Sequence, residues 1–264
     1  MRTAAKLMVE CLVTEGVKYI FGIPREENLE LVQAIADEPR LHFVVVRHEQ
    51  GAAFMADVYG RLTGKAGVCL ATLGPGATNL VTGVADIRKA LSDPEDILIS
   101  DVGAHKMWIG RLYGCYKPET CIISNGFASM GIGVPGAVAA KLVYPERHVL
   151  VATGDGGFMM NSQELETAVR LGVNFVVVIF HDSEYGLIKW KEEEQYVRAA
   201  FVDFTNPDFV ALAKAMHCKG VRVNSAAELS EAIRKGFEEK VPVIIDTPVD
   251  YSANEELSAE LRSL

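Results

Sequence analysis

HVLVATGDGG (148–157) and NFVVVIFHDSE (174–184) decide the fold of this chain. Each opens as a short run of apolar and β-branched residues without polar alternation, the pattern of a strand buried on both faces of a parallel sheet. Each then breaks into glycine and acidic residues: Gly154-Asp155-Gly156-Gly157 after the first, His181-Asp182-Ser183-Glu184 after the second. Helical periodicity follows. The same alternation extends in both directions. Ile97–Asp101, Cys121–Ser124, Gly220–Val223 and Val241–Asp246 read as further strands with helices between them. Asn206-Pro207 predicts a helix start by cap and first-turn proline, and Ser225 with Glu228 predicts a capping box. Towards the N-terminus, 3–15 reads as a helix stopped by Gly16, Lys18–Phe21 as a strand and Glu26–Ala36 as a helix. Leu41–Val46 then reads as a buried strand, His48–Thr63 as a helix, and Gly67–Thr72 as a strand before a Gly74-Pro75-Gly76 turn and a helix from Ala77.

The expected fold class is therefore α/β, with two parallel-sheet, three-layer units. They span 1–88 and 89–264, the second ending in a polar tail. Their join, Asp86–Leu91, reads as helix running into helix, with no Gly, Pro or Ser to loosen it.

Composition narrows the function classes. With 49% hydrophobic and 23% charged residues, the 264-residue chain has ordinary globular composition, which excludes a disordered or fibrous protein. A net charge of −9 without a basic cluster argues against a nucleic-acid surface. No apolar run approaches the roughly 20 residues needed to cross a bilayer. Glu10 and Glu15 interrupt the apolar N-terminal stretch, so no signal peptide is expected, and the five cysteines are scattered without zinc spacing. The expectation is a soluble, cytoplasmic protein with no membrane or nucleic-acid partner.

Parallel sheets bind ligands at the carboxyl ends of their strands. Glycine there lets backbone N–H groups approach phosphate oxygens. Asp155 and Asp182 put carboxylates in the same place, which suits a phosphate only if a hard cation such as Mg²⁺ bridges them. A ligand-free turn uses the same Gly-Asp-Gly tripeptide. Gly131–Gly136 spells G-x-G-x-x-G, but no strand directly precedes it and Pro135 interrupts it, so close helix packing explains it better than a dinucleotide. Leu73–Asn79 reads either as a ligand cradle or as a plain strand–loop–helix turn. Glu49 enters a helix of small apolar residues, where desolvation would raise its pKa and let it hold a proton. A solvated first-turn glutamate is the competing reading.

Together these segments resemble the thiamine diphosphate-dependent enzymes, and within them the acetolactate synthase family. GDGGFMMNSQELETAVRLG (154–172) with HDSEYGLIKW (181–190) resembles the cofactor motif, Asp182 lying 27 positions beyond Asp155. YIFGIP (19–24), RHEQGAAFMADVYGRLTGKAGV (47–68) and LGPGATNL (73–80) resemble the pyrimidine-binding domain. DVGAHKMW (101–108) and SNGFASMGIGVPGA (124–137) resemble the diphosphate-binding domain.

The resemblance implies Mg²⁺ held by Asp155, Asp182 and the Glu184 backbone. Val102, Gly103, Ala104 and His105, with Gly154, Gly156 and Gly157, would hold the diphosphate. Met130 would be the apolar wedge that bends the cofactor, Ala128 and Met130 backbone groups would meet the aminopyrimidine, Leu187 and Ile188 would line the thiazolium side, and Tyr185 and Gly186 would also contact the cofactor. Glu49 would hydrogen-bond the pyrimidine nitrogen. The implied activity is decarboxylation of a 2-keto acid, pyruvate above all, with carboligation to acetolactate. A cofactor-binding scaffold without turnover is the alternative. The implied assembly is a homodimer or tetramer with sites shared between chains. The sequence also departs from the family: GVAD (83–86) runs at once into RKALSDPEDILISDVG, leaving out half of the pyrimidine domain and the middle domain. No FAD is expected, and the chain reads as a reduced or engineered core. Arg25 stands where the family has Gly, and His181 where Asn is common.

Overall fold

The computed structural model describes residues 3–24, 28–70, 96–112, 117–125, 128–196 and 198–249. In its first part, α1 (Ala4–Thr14), β1 (Tyr19–Gly22), α2 (Leu29–Ala36), β2 (His42–Val45), α3 (Glu49–Thr63) and β3 (Val68–Leu70) alternate. The three strands pair in parallel in the order β2-β1-β3. Local chemistry sets the boundaries. The Thr3 side chain accepts from Lys6 N at 3.3 Å and starts α1, and Gly16 takes φ +77° after it. His48 Nδ1 accepts from Gln50 N at 3.2 Å to start α3, and Gly64 closes that helix at φ +65°.

The second part runs β4 (Ile97–Ser100), α4 (Ala104–Leu112), β5 (Cys121–Ile123), α5 (Gly133–Val143), β6 (Val149–Gly154), α6 (Asp155–Asn161) and α7 (Glu164–Leu171). It continues through β7 (Val176–His181), α8 (Gly186–Tyr196), α9 (Phe209–Ala215), β8 (Lys219–Arg222), α10 (Ala226–Phe237) and β9 (Val243–Pro248). Six parallel strands lie in the order β5-β4-β6-β7-β9-β8. The fold is α/β with two parallel sheets and interleaved helices, as the sequence predicts.

The two sheets share a core. One apolar cluster runs from Phe21, Val44 and Phe54 through Val58, Val138 and Ile99 to Val151, Phe209 and Ile244. It is joined where α3 meets α5: a Cβ on Gly136 would lie 3.2 Å from Val58 Cγ2, so glycine sets that close approach. Tyr144 Oη donates to the Leu62 carbonyl at 2.7 Å across the same seam. The boundary expected at 88/89, the helix from Ala77, the 73–79 loop and Arg25 lie outside the described residues.

Two local expectations need correction. Among the described residues β2 lies at the edge of its sheet, with His42 and Val45 exposed, not covered on both faces as expected, because its place in the sheet leaves it only partly roofed by helices. The cap of α9 is Asp208, whose carboxylate accepts from Ala211 N at 3.0 Å. Asn206 does not cap the helix because its amide is engaged at the cleft described next.

Candidate cofactor site

From β4 the chain crosses one way to β5, while β6 lies on the other side of β4, so the order in which strands are laid down reverses at β4. Such a switch point leaves a crevice at the strands' carboxyl ends. A cleft opens there, lined by the turns that follow three neighbouring strands. The turn after β4 contributes Val102, Gly103, Ala104 and His105, and the turn after β6 contributes Gly154, Asp155, Gly156 and Gly157. Beyond β7 come Asp182, Glu184, Tyr185, Gly186, Leu187 and Ile188, with Met130 and Phe180 between. Of the residues singled out in the sequence, Glu49 and Ala128 do not line this cleft. Ala128 is exposed at φ +50°, two residues before Met130. Phe180 is the addition; as part of NFVVVIF it is indistinguishable from core by pattern.

Asp155 is held from several sides. Its Oδ1 accepts from Gly156 N at 2.8 Å; its Oδ2 accepts from Ser183 N and Asn206 Nδ2, each at 2.7 Å. Asp182 is half-buried beside it, and burial first, then the charge of Asp155, pushes its carboxyl up to about 6. Two carboxylates at adjacent strand ends are groups that could hold a cation between them. Glu184 is different: Lys189 Nζ lies 2.7 Å from both of its carboxylate oxygens. Its charge is met, and its main chain is the part left for the cleft. Among the described residues no three His, Cys, Asp or Glu side chains group to hold a metal. A cation here would take two carboxylates, backbone oxygen and ligand oxygens, a hard donor set that fits Mg²⁺ and leaves coordination positions for phosphate.

His105 brings no charge to an anion. It is 3% exposed, its ring stacks on Phe180 at 5.4 Å, and Nε2 lies 3.1 Å from the Asp101 carbonyl oxygen. Burial lowers its pKa to about 4, so it is neutral at physiological pH. Phosphate charge at this end would therefore be met by the cation and by the free N–H groups at the start of α4.

Asp101 is the residue that sequence reasoning passed over. Buried at the end of β4, its carboxylate accepts from Val102 N at 2.7 Å, Gly131 N at 2.9 Å and Gly133 N at 3.1 Å. Burial raises its pKa while these donors oppose the rise. It thus anchors the turn that carries Met130. The glycines of the G-x-G-x-x-G run serve this packing. A Cβ on Gly131, at φ +92°, would meet Asn161 Nδ2 at 2.6 Å, and one on Gly133 would meet Val151 Cγ1 at 2.6 Å. His181 turns from the cleft, with Nδ1 at 2.9 Å from Asp246 Oδ1 and Nε2 at 3.2 Å from Ser183 Oγ.

Glu49 is the first residue of α3 and is 6% exposed, which removes the solvated first-turn reading.

The comparisons agree with this layout. "Thiamine pyrophosphate enzyme, C-terminal TPP binding domain" matches residues 101–247, and "Thiamine pyrophosphate enzyme, N-terminal TPP binding domain" matches residues 2–92. An acetolactate synthase of Bacillus subtilis is 39% identical over 177 residues, covering 67% of this chain and 31% of that protein. A catabolic acetolactate synthase of Raoultella terrigena is 37% identical over 62% of this chain and 29% of its own length. A pyruvate oxidase of Lactiplantibacillus plantarum is 35% identical over 60% of this chain and 27% of its own. The matched stretch spans less than a third of each of these relatives. With the C-terminal family match alone covering more than half its length, the chain belongs to the thiamine pyrophosphate enzyme family.

Proposed function

We propose that the chain binds thiamine diphosphate with Mg²⁺, decarboxylates a 2-keto acid, pyruvate foremost, and can pass the two-carbon unit to a second pyruvate to give acetolactate. The observation that carries this reading is the meeting of Asp155 and Asp182 at adjacent strand ends, beside a glycine turn, in a cleft otherwise walled by Met130, Phe180, Leu187 and Ile188. Similarity to two acetolactate synthases favours pyruvate as substrate.

When bound, the cofactor supplies the acidic carbon and the electron sink for decarboxylation. The chain's task is binding, orientation and proton placement. Asp155 and Asp182 hold Mg²⁺ by side chain and Glu184 by its carbonyl, while Val102–His105, Gly156 and Gly157 present backbone to the diphosphate. Met130 would pack against the cofactor, and Leu187 and Ile188 would lie beside its thiazolium. Glu49 holds a proton at the pyrimidine nitrogen. In the proposed assembly, a homodimer or a dimer of dimers with shared sites, Glu49 serves the cleft of a partner.

Pyruvate turnover with and without thiamine diphosphate and Mg²⁺ tests the reading, with CO₂, acetolactate and acetaldehyde measured and cofactor affinity followed by calorimetry. CO₂ release dependent on both additions is expected. Saturable cofactor binding without CO₂ release would make the chain a binding scaffold, and no cofactor binding would overturn the proposal.

A further inference from the structure

A fully buried carboxylate lies outside the cleft and outside the roles given so far. Glu164, the first residue of α7, has no solvent exposure, yet its Oε1 accepts from the backbone N–H of Arg47 at 3.0 Å and of His48 at 3.1 Å. Its Oε2 accepts from Thr167 Oγ1 at 2.8 Å. Those two N–H groups belong to the turn between β2 and α3, immediately before Glu49. The approach is close enough to demand glycine on the next helical turn, since a Cβ on Gly51 would lie 2.8 Å from Glu164 Oε1.

The rest of α7 grips the same turn. Glu166 pairs with Arg47 at 2.6 Å and with Arg170 at 3.2 Å, and Arg170 donates to the Val45 carbonyl at the end of β2. The exposed pairs contribute little individually. The buried carboxylate with three donors is different: burial raises its proton affinity while the three donors oppose the rise, and hydrogen bonds in a low-dielectric interior leave one geometry.

We propose that Glu164 is a positioning residue: across the seam between the two sheets it fixes the turn that aims Glu49 at the cofactor. This rests on the reading above that Glu49 holds the proton at the pyrimidine nitrogen. The physical need is distance, because a proton donor must stay within about 2.6–3.2 Å of its acceptor, and a 1 Å displacement can cost about 100-fold in rate. His48 caps α3 from within, while Glu164 ties the main chain of Arg47 and His48 to α7. Glutamine at 164 keeps an amide oxygen for the two N–H groups and can donate to Thr167 Oγ1, so it preserves the arrangement; alanine does not.

Three readouts test this on the intact chain. Without cofactor, hydrogen exchange over 46–50 should accelerate at least about tenfold in Glu164→Ala and stay near parental in Glu164→Gln. With cofactor bound, exchange of the thiazolium C2 proton and kcat should fall about 10- to 100-fold in Glu164→Ala, with the pyruvate KM within about threefold of the parent. Gly51→Ala, which pushes the carboxylate from the other side, should reproduce both effects and serves if Glu164→Ala does not fold. Parental protection of 46–50, or a lowered melting temperature with C2 exchange at the parental rate per folded molecule, would overturn the proposal. Glu49→Gln is the control. If it leaves C2 exchange unchanged, the role of Glu49 falls, whereas slow exchange in Glu49→Gln with parental exchange in Glu164→Ala and Gly51→Ala refutes the positioning role alone.

Discussion

In the cleft, burial raises the Asp182 carboxyl to about 6 and lowers the His105 imidazole to about 4, and the two shifts act on different measurements. For Asp182, the folded apo chain binds a proton that the unfolded chain releases between about pH 4 and 6, so this group's contribution to stability falls as pH rises through that window. A metal must displace the same proton. Mg²⁺ affinity should therefore be level above about pH 6 and fall up to about tenfold per unit below it. Calorimetric titrations from pH 5 to 8 would check this, and Asp182→Asn should bind weakly with little pH dependence. His105 has the opposite sign. Between about pH 6.5 and 4 the unfolded chain binds the proton and the folded chain does not, so stability present above this window is lost as pH falls, by about 2–3 kcal/mol. Urea unfolding at pH 7.5 and 5 should show that loss, reduced in His105→Gln. At this scale Gly154–Gly157 and Asp182 are legible because they lie in one short motif. Asn206 and Asp101 are not, since their partners lie 51 and 30 positions away and nothing local marks the pairing.

Elements are legible where a run is apolar throughout, as in β6 and β7, and less so where capping has competitors. Asn206 and Asp208 both suit a helix cap, and the choice fell to Asp208 because the Asn206 amide reaches Asp155. Glycines likewise divide by what surrounds them. A methyl on Gly133 intrudes on Val151 and reaches the Asp101 carboxylate, whereas one on Gly172, at φ +65°, meets nothing within 4 Å. Gly133→Ala should cost about 1–3 kcal/mol through overpacking and also weaken cofactor binding by moving the turn that carries Met130. Gly172→Ala should cost only about 1–2 kcal/mol of backbone strain and leave cofactor affinity unchanged. Urea midpoints and cofactor titrations on both variants would separate the two causes; equal loss of affinity in both would contradict the packing argument.

For the whole molecule, the cleft's surroundings bear on assembly. Tyr185 and Ile188 at its mouth and Met159 and Met160 on α6 are exposed apolar side chains near the site, the kind of surface a partner covers. With Glu49 outside its own chain's cleft, the shared-site dimer makes a sharp prediction. Glu49→Gln and Asp155→Ala homodimers should each be inactive, and mixing them should restore part of the activity, because each mixed dimer contains one site with both parental residues. A monomer by light scattering at micromolar concentration, or no recovery after verified subunit exchange, would refute it. Among the described residues no helix is long and apolar enough to cross a membrane.

The sequence by itself determined the α/β class and the strand that precedes each glycine turn, because apolar periodicity and turn chemistry act over a few residues. It also determined the Gly-Asp-Gly turn, whose carboxylate and backbone groups are neighbours in the chain. Tertiary structure alone decided that β4, β6 and β7 bring three such turns to one crevice, since strand order is not written in any strand. It alone decided that β2 lies at an edge, that Asp101 gathers the N–H groups of Gly131 and Gly133, and that Glu164 reaches Arg47 and His48. Each of these depends on how packed elements meet, where a buried carboxylate takes whichever donors the core delivers to it.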